Sequence, residues 1–445
     1  MKTTLILLLP LLTLLAACER DFSATPTQTD ISFSADTISF DTIYAGNPST
    51  TIRFTIRNNS DNDVTISSIS LQGDNNSPFA INIAGQPSTS VSNIHLAHSD
   101  SLFLFAYVRD PNPANGNALT SLTDHVIAQA GTNTWSTTLH ATVLNVSRQA
   151  GTLSSDTQWL CDTIPYLISD TLAVNANLTI GPSVTVLFQN NASLQIHGSL
   201  VIAADPDHRA SLMPMRQDGF YQDIPGQWAG IDILPSAHAS LAYVNIACPT
   251  HGISVDSAAS LSANALYLRD ISHTAISARH ANISLRNTLI TNSGGPSIAL
   301  TGGITELTHV TIANYFSWDT RHTEALLITP SDTSHSSLRV LNSIIMGSHN
   351  PEVEPDSLAG NALFSGSLIR ADKNTLNSPH FQDCLTSSNA HFANRDAANY
   401  HLSTSSDAVG LALPQGASIA PTDFEGLSRF SADTIQAGAF QTISF

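Results

Sequence analysis

Two hydrophobic periodicities divide the chain. From Ile31 onward, apolar and polar residues alternate: Ile31 and Phe33, Ile38 and Phe40, Ile52, Phe54 and Ile56, Val64 and Ile66, then Ile69 and Leu71. A period of two places one side-chain set on a single face of a strand. Turn residues separate the runs at Gly46-Asn47-Pro48, Asn58-Asn59-Ser60-Asp61 and Gly73-Asp74-Asn75-Asn76. Leu102 to Val108 and Trp135 to Leu144 supply further strands, and no helical period interrupts them. Short strands with polar turns predict an antiparallel, Ig-like β-sandwich over residues 31–147.

After a join near Arg148 to Gly151 the pattern changes. Leu172, Val174, Leu178, Ile180, Val184, Val186, Phe188, Leu194, Ile196, Leu200 and Ile202 mark short strands, punctuated by Gly181-Pro182, Asn190-Asn191 and His197-Gly198. A repeat then emerges. Segments opening at Tyr243, Asn264, Asn287, His309 and Asn342 align on one another, with steps of 21, 23, 22 and 33 residues. Second strands follow the first four, at Ile253, Ile276, Ile298 and Leu327. A period near 22 with short strands and no helix predicts a β-solenoid, whose coils bury their inward faces only by stacking. Leucine-rich repeats share the period but demand Leu at fixed places, whereas these positions vary among Ile, Leu and Val. The long last step predicts an inserted loop at Ser317 to Thr323. The predicted fold class is therefore all-β, with a solenoid over 151–410 and a C-terminal cap or tail over 411–445.

The amino terminus carries a different signal. Leu5 to Leu15 is apolar apart from Pro10 and Thr13. It is too short for the roughly 20 residues that span a bilayer, but right for the h-region of a signal peptide behind Lys2. The run ends Leu14-Leu15-Ala16-Ala17-Cys18, which resembles the lipobox of bacterial lipoprotein precursors. That resemblance implies removal of residues 1–17 and acylation of Cys18, so that lipid anchors the protein to a membrane. Residues 18–30, polar after Cys18, then read as a tether. Glu19-Arg20-Asp21 resembles the surface-export signal of Bacteroidetes lipoproteins, with Arg20 interrupting the acidic pair. Outer-membrane attachment and exposure at the cell surface are the expectation, with the periplasmic face as the alternative.

Further blocks resemble one group. Phe40-Asp41-Thr42-Ile43, Arg57-Asn58, Ile69-Leu71-Gly73 and Phe79 are similar to Ig-like modules of bacterial envelope proteins. Leu178 to Val186 and Ala192 to Leu200 resemble the opening coils of right-handed parallel β-helix proteins of Bacteroidales. Pro225 to Ile231, Thr311 to Trp318, and the tail residues Asp423-Phe-Glu-Gly, Arg429, Asp433 and Gly438-Ala439-Phe440 resemble other blocks of that uncharacterised lipoprotein group. The resemblance implies a right-handed helix and an envelope location, and supplies no reaction. Asp-Ser or Asp-Thr followed by an apolar residue, as at Asp36-Thr37 and Asp433-Thr434, resembles the O-glycosylation acceptor of exported Bacteroidetes proteins.

Charge narrows the partners. Lys and Arg total 17 against 35 Asp and Glu, for a net of −18. Nucleic acid is not an expected partner, because such binding runs on basic surface. Acidic surface is equally ill matched to anionic lipid, which leaves the acyl group on Cys18 as the membrane attachment. Cys161, Cys248 and Cys384 are odd in number and lack metal-site spacing, so neither a disulfide framework nor a zinc site is predicted. One disulfide among them stays open, and Cys248 reads as a small buried hydrophobe.

Chemistry has few candidates. Helices resembling pectate lyases gather carboxylates around calcium and use Arg or Lys as base. Asp256, Arg269, Asp270, Arg279 and His280 would have to converge for that, yet no clustered carboxylate motif appears. Lys373, the one lysine left after signal removal, lies outside the repeats. Calcium is expected only under this lyase alternative, and no other cofactor or metal is. His251 and His273, one coil apart, are expected to stack, as a metal or sugar ligand pair or as polar corners. Trp228, Tyr243, Tyr267, Tyr315 and Trp318 form a candidate glycan-stacking platform, or pack between coils. The expected function is a non-catalytic, envelope-anchored binding or adhesion protein for glycans. The rivals are a polysaccharide lyase or glycoside hydrolase on the helix, and a structural subunit of an envelope assembly. Converging carboxylates in a cleft would favour the enzyme and a flat aromatic face the binder. An exposed apolar face on the sandwich would favour the subunit.

Overall fold

A computed structural model describes residues 30–441, apart from 41, 110, 112–117, 162–163, 218, 330–335, 359–360 and 432. The expected signal peptide, Cys18 and the tether up to residue 29 lie outside the described residues, as do Asp41, Asp162 and Thr163. The chain forms two compact units, Met1–Asn145 and Val146–Phe445.

The first unit is a two-sheet sandwich. Its strands are β1 (Ile31–Phe33), β2 (Thr37–Ser39), β3 (Ile43–Tyr44), β4 (Ile52–Asn58), β5 (Val64–Leu71), β6 (Phe79–Ile83), β7 (Gln86–Pro87), β8 (Ser90–Leu96), β9 (Ser101–Val108), β10 (Leu119–Ala130) and β11 (Asn133–Leu144). One sheet runs β1-β4-β9-β6-β7 and the other β2-β11-β10-β5-β8, with β3 also on β11. The chain switches sheets between β1, antiparallel to β4, and β2, parallel to β11. Alternation explains the shared core: Phe54, Ile56, Leu104, Ala106, Val126, Ala128, Leu139 and Ala141 all point inward. Asn58 is fully buried and stays satisfied, donating to the Asn62 and Ala97 carbonyls at 2.8 and 3.0 Å. The expected turn at Asn58 is thus anchored by its first residue.

The second unit is a parallel β-helix. Its large sheet runs continuously from Ser147–Leu153 to Leu385–Thr386, each strand pairing with its equivalent one coil on. Three strand columns make three faces. Ile253–Val255, Ile276–Arg279, Ile298–Thr301 and Leu326–Thr329 stack in register on the first. Asn282–Arg286, Ile304–Thr308 and Ser337–Leu341 lie on the second. Leu289–Ser293, Thr311–Asn314 and Ile344–Gly347 lie on the third. Inward residues such as Ile253, Ile276, Ile298 and Leu326 sit above one another, so each coil completes its neighbour's core.

The corners explain the repeat. Tyr243, Ala265, Asn287, His309 and Asn342 all adopt left-handed backbone, with φ of 48–56°. They form one column between the second and third faces, spaced 22, 22, 22 and 33 residues apart. Asn tolerates this conformation better than most residues. The alignment of Asn264 with Asn287 is therefore corrected by one residue: Ala265 is the structural equivalent, and Asn264 precedes it. The inserted residues are also redistributed. Ile298 pairs with Leu326, a step of 28, and Ile304 with Ser337, a step of 33. Half of the insertion therefore surrounds Ser317 to Thr323, and the rest accumulates between Thr329 and Ser337. A fully buried ion pair holds the first loop: Arg321 Nη1 donates to Glu352 Oε2 at 2.8 Å, and that same oxygen accepts from the Ala325 amide at 2.9 Å.

Beyond Thr386 the chain turns back as a lateral strap rather than closing the solenoid end. It contains the hairpin Phe392–Asn394 with Asn399–Leu402 and the short helix Pro414–Ile419. Polar bonds seat it on the left-handed corner column. Leu413 N donates to Asn342 Oδ1 at 2.8 Å, Gly438 N to the Asn342 carbonyl at 2.7 Å, and Arg429 Nη2 to Asn287 Oδ1 at 2.8 Å. A Cβ on Gly416 would lie 2.2 Å from Asn342 Nδ2, so only glycine allows this approach. Ala437, Ala439 and Phe440 then bury apolar surface against the third face.

Candidate functional site

The candidate acid–base residues do not converge. Asp256 and Arg279 pair at 2.8 Å at the corner after the first face, with His280 next in chain. Hydrogen bonding from Arg279, then from the Ser257 amide, holds the Asp256 carboxyl below its ordinary range. A carboxylate kept ionised this way is a poor proton donor. Arg269 and Asp270 lie at a different corner, where Arg269 also meets Asp223 at 2.8 Å. Burial pushes the Asp270 carboxyl up, opposed by Arg269 and by Asn292, which donates to it at 3.1 Å. Asp270 shares its left-handed corner column with Cys248 and Asn292, so it completes a bend. Among the described residues no group of three or more His, Cys, Asp or Glu side chains is placed to hold a metal. Asp256 and Asp270, at separate corners, do not make the carboxylate cluster that a lyase calcium would need.

His251 and His273 do come together, with ring centroids 5.0 Å apart and tilted by 38°. Burial, then the neighbouring His273, lowers the pKa of His251. Both rings are exposed at the mouth of a corner. Cys248 and Cys384 carry free thiols; burial pushes the Cys248 thiol up to about 12, as a core hydrophobe requires.

The five candidate aromatics do not make one exposed platform. Trp228 is fully buried, stacked on Phe188 at 3.9 Å, and its indole donates to the Ala247 carbonyl at 2.8 Å. It is a core plug and cannot meet a sugar. Tyr243 at the corner before the third face, Tyr267 on that face and Tyr315 just past it are half-buried against the strap residues Phe392, Tyr400, Phe424 and Phe440. Phe424 meets Tyr267 edge-on at 6.3 Å. Trp318 is half exposed on the inserted loop. Packing, the rival reading for these residues, takes Trp228, Tyr243 and Tyr267, while Tyr315 stays half-buried at the edge of the strap.

An aromatic face unmarked in the sequence reading lies on the sandwich. Phe103, Phe105 and Tyr107 project outward from β9 and remain 50, 37 and 44% exposed. Their alternates Leu104, Ala106 and Val108 fill the core. Alternate residues on a strand stand about 6.8 Å apart, so the rings form a straight row. Register places Arg53 and Asn82 beside Phe105, and Thr55 beside Phe103. The Arg53 guanidinium carbon lies 5.1 Å from the Phe103 ring centre. The result is a flat apolar row with a polar rim, a surface of the kind that marks interaction sites. The even spacing of aromatics in Phe103-Leu-Phe-Ala-Tyr107 was the available signal. In an almost wholly apolar run it does not tell which side faces out.

The sequence matches no family model and no curated protein. Part of the chain is similar in shape to a number of solved structures, three of which follow. The CooA pilin subunit from enterotoxigenic Escherichia coli matches at 16% identity over 26% of this chain and 97% of that one, with a TM-score of 0.20. The PapD-like domain 7 of human CEP192 matches at 12% identity over 29% of this chain and 94% of that one, with a TM-score of 0.19. A family 123 glycoside hydrolase from Clostridium perfringens matches at 10% identity over 29% of this chain and 30% of that one, with a TM-score of 0.20. Likenesses at these scores carry no functional weight.

Proposed function

We propose that this protein is a non-catalytic glycan-binding lipoprotein of the bacterial envelope, anchored through acylated Cys18 and binding polysaccharide on its N-terminal sandwich. The observation that carries the binding role is the row Phe103, Phe105 and Tyr107. Flat exposed rings in line offer stacking surface to successive pyranose units, whose axial C–H faces are apolar. Arg53, Arg57, Thr55 and Asn82 at the rim supply donors to hydroxyls. The separation of Asp256–Arg279 from Arg269–Asp270 argues against the enzyme reading, which needs two groups on one bond. The apolar character of the same row keeps the envelope-assembly subunit as a second reading.

Native gel electrophoresis through a panel of dissolved polysaccharides tests the proposal. Retardation by at least one glycan without new reducing ends, abolished in Phe105→Ala/Tyr107→Ala, is the expected result. New chain ends would overturn the non-catalytic part. A panel without retardation would overturn glycan binding, and concentration-dependent self-association through the same face would then favour the assembly subunit. Anchoring is tested separately: Cys18→Ser should move the protein from the membrane fraction to the soluble fraction.

A further inference from the structure

The strap, while covering the third face of the β-helix, leaves an open groove of about 460 Å³ between itself and the late coils. We propose that this groove is a separate site for a small sugar carboxylate of the uronic acid class. It stands independently of the polysaccharide reading of the sandwich.

Two cations face the groove. Arg395 lies with its guanidinium carbon 4.4 Å from the ring centre of Tyr315. Part of its N–H edge meets the Tyr315 hydroxyl; stacking occupies a flat face of the guanidinium and leaves the remaining in-plane donors for a carboxylate. Arg370 donates through Nη1 to the Ser388 carbonyl at 2.9 Å, and its Nε is buried without a hydrogen-bond partner. Both charges act on Tyr315: burial pushes its phenol up, while Arg395 and Arg370 oppose that shift. The acid in the groove, Asp396, is 92% exposed and 3.8 Å from Arg395, too solvated to neutralise two guanidiniums. In a chain of net charge −18, this concentration of positive charge selects an anion.

The rest of the lining specifies more than an anion. Phe392 and Tyr315 form half-buried apolar walls suited to the body of a pyranose ring. Asn389 and Asn394 use their side-chain oxygens on the His391 and Ala397 amides, at 2.9 and 3.2 Å. Their NH₂ groups are left to donate to hydroxyls. A volume of about 460 Å³ exceeds what an inorganic anion fills and lies within the range of small-ligand pockets. The sequence concealed this site because Arg370 and Arg395 sit on different segments, brought together only when the strap turns back.

Calorimetric titration of the full protein with glucuronate, galacturonate, glucose and inorganic phosphate tests the assignment. Uronates should bind about tenfold or more tightly than glucose, since a charge-assisted hydrogen bond is worth that much. Arg395→Gln should weaken uronate binding by a similar factor with unchanged thermal unfolding, because Arg395 is half exposed. Arg370→Gln should act in the same direction. Phe105→Ala on the sandwich should leave uronate binding intact, which keeps the two sites' failures distinguishable. Equal binding of glucose and uronate would overturn the proposal. So would unaltered affinity in Arg395→Gln, or phosphate binding as tightly as uronate.

Discussion

Strand β9 of the sandwich and the β-helix use aromatic residues in opposite ways. On β9 the rings of Phe103, Phe105 and Tyr107 face outward while smaller residues fill the core. In the helix, Trp228 is a core plug, and Tyr243, Tyr267 and Tyr315 are half-buried against the strap. The difference follows from architecture. A sandwich sheet has one face on the core and one toward water, so its outer side chains are open to be used. A solenoid coil has no core of its own, and here a folded-back tail closes one face as well. Aromatic residues on a solenoid are thus weaker indicators of a ligand than the same residues on a sandwich.

Mutations can break that comparison. Trp228→Ala should cost the helix unit about 3–5 kcal/mol, the usual loss for a buried tryptophan, measured by denaturant unfolding. The sandwich transition should stay where it is, and coupled loss of both would contradict two independent cores. Glu352→Gln leaves Arg321 buried and unpaired, which should cost about 3–5 kcal/mol in the same assay. Proteolysis should then cut first in the loop around Ser317 to Thr323.

A subtler probe is pH. His309, fully buried beneath the strap, is held well below 6.5 by burial and then by the Arg429 charge. The folded chain therefore takes up this proton at lower pH than the unfolded chain does. Its stability contribution is full above about pH 6.5 and is lost progressively as pH falls below that value. His309→Gln should remove that increment, seen as a smaller loss of stability than wild type between about pH 7.5 and about pH 5.5. The smallest stability effect belongs to the sandwich row: Phe105→Ala should change unfolding by less than about 0.5 kcal/mol, although it weakens glycan retention. A large destabilisation there would mean that the ring is structural and would erase the contrast.

The register error at Asn264 shows where sequence reading stops. Matching Asn264 to Asn287 follows residue chemistry, while the corner column follows backbone conformation, and Ala265 fills the left-handed position with no side-chain signature. The step of 22 survived because stacked coils without insertions must match in length; the individual corner did not, because several residue types tolerate it at modest cost. His251 and His273 were legible as a pair, since stacking places residues one step apart side by side. Asp256 and Asp270 were not separable, since a linear sequence does not say which corner each occupies.

Periodicity alone was enough to specify an all-β chain with a sandwich and a stacked solenoid, because burial of apolar side chains imposes a period of two on strands and a near-constant step on coils. Composition made it acidic and poor in lysine. Only the tertiary structure decided which aromatics remain exposed, where the inserted residues go, and that Arg370 and Arg395 share one groove. Those features depend on contacts between segments distant in the chain, to which no local pattern is sensitive.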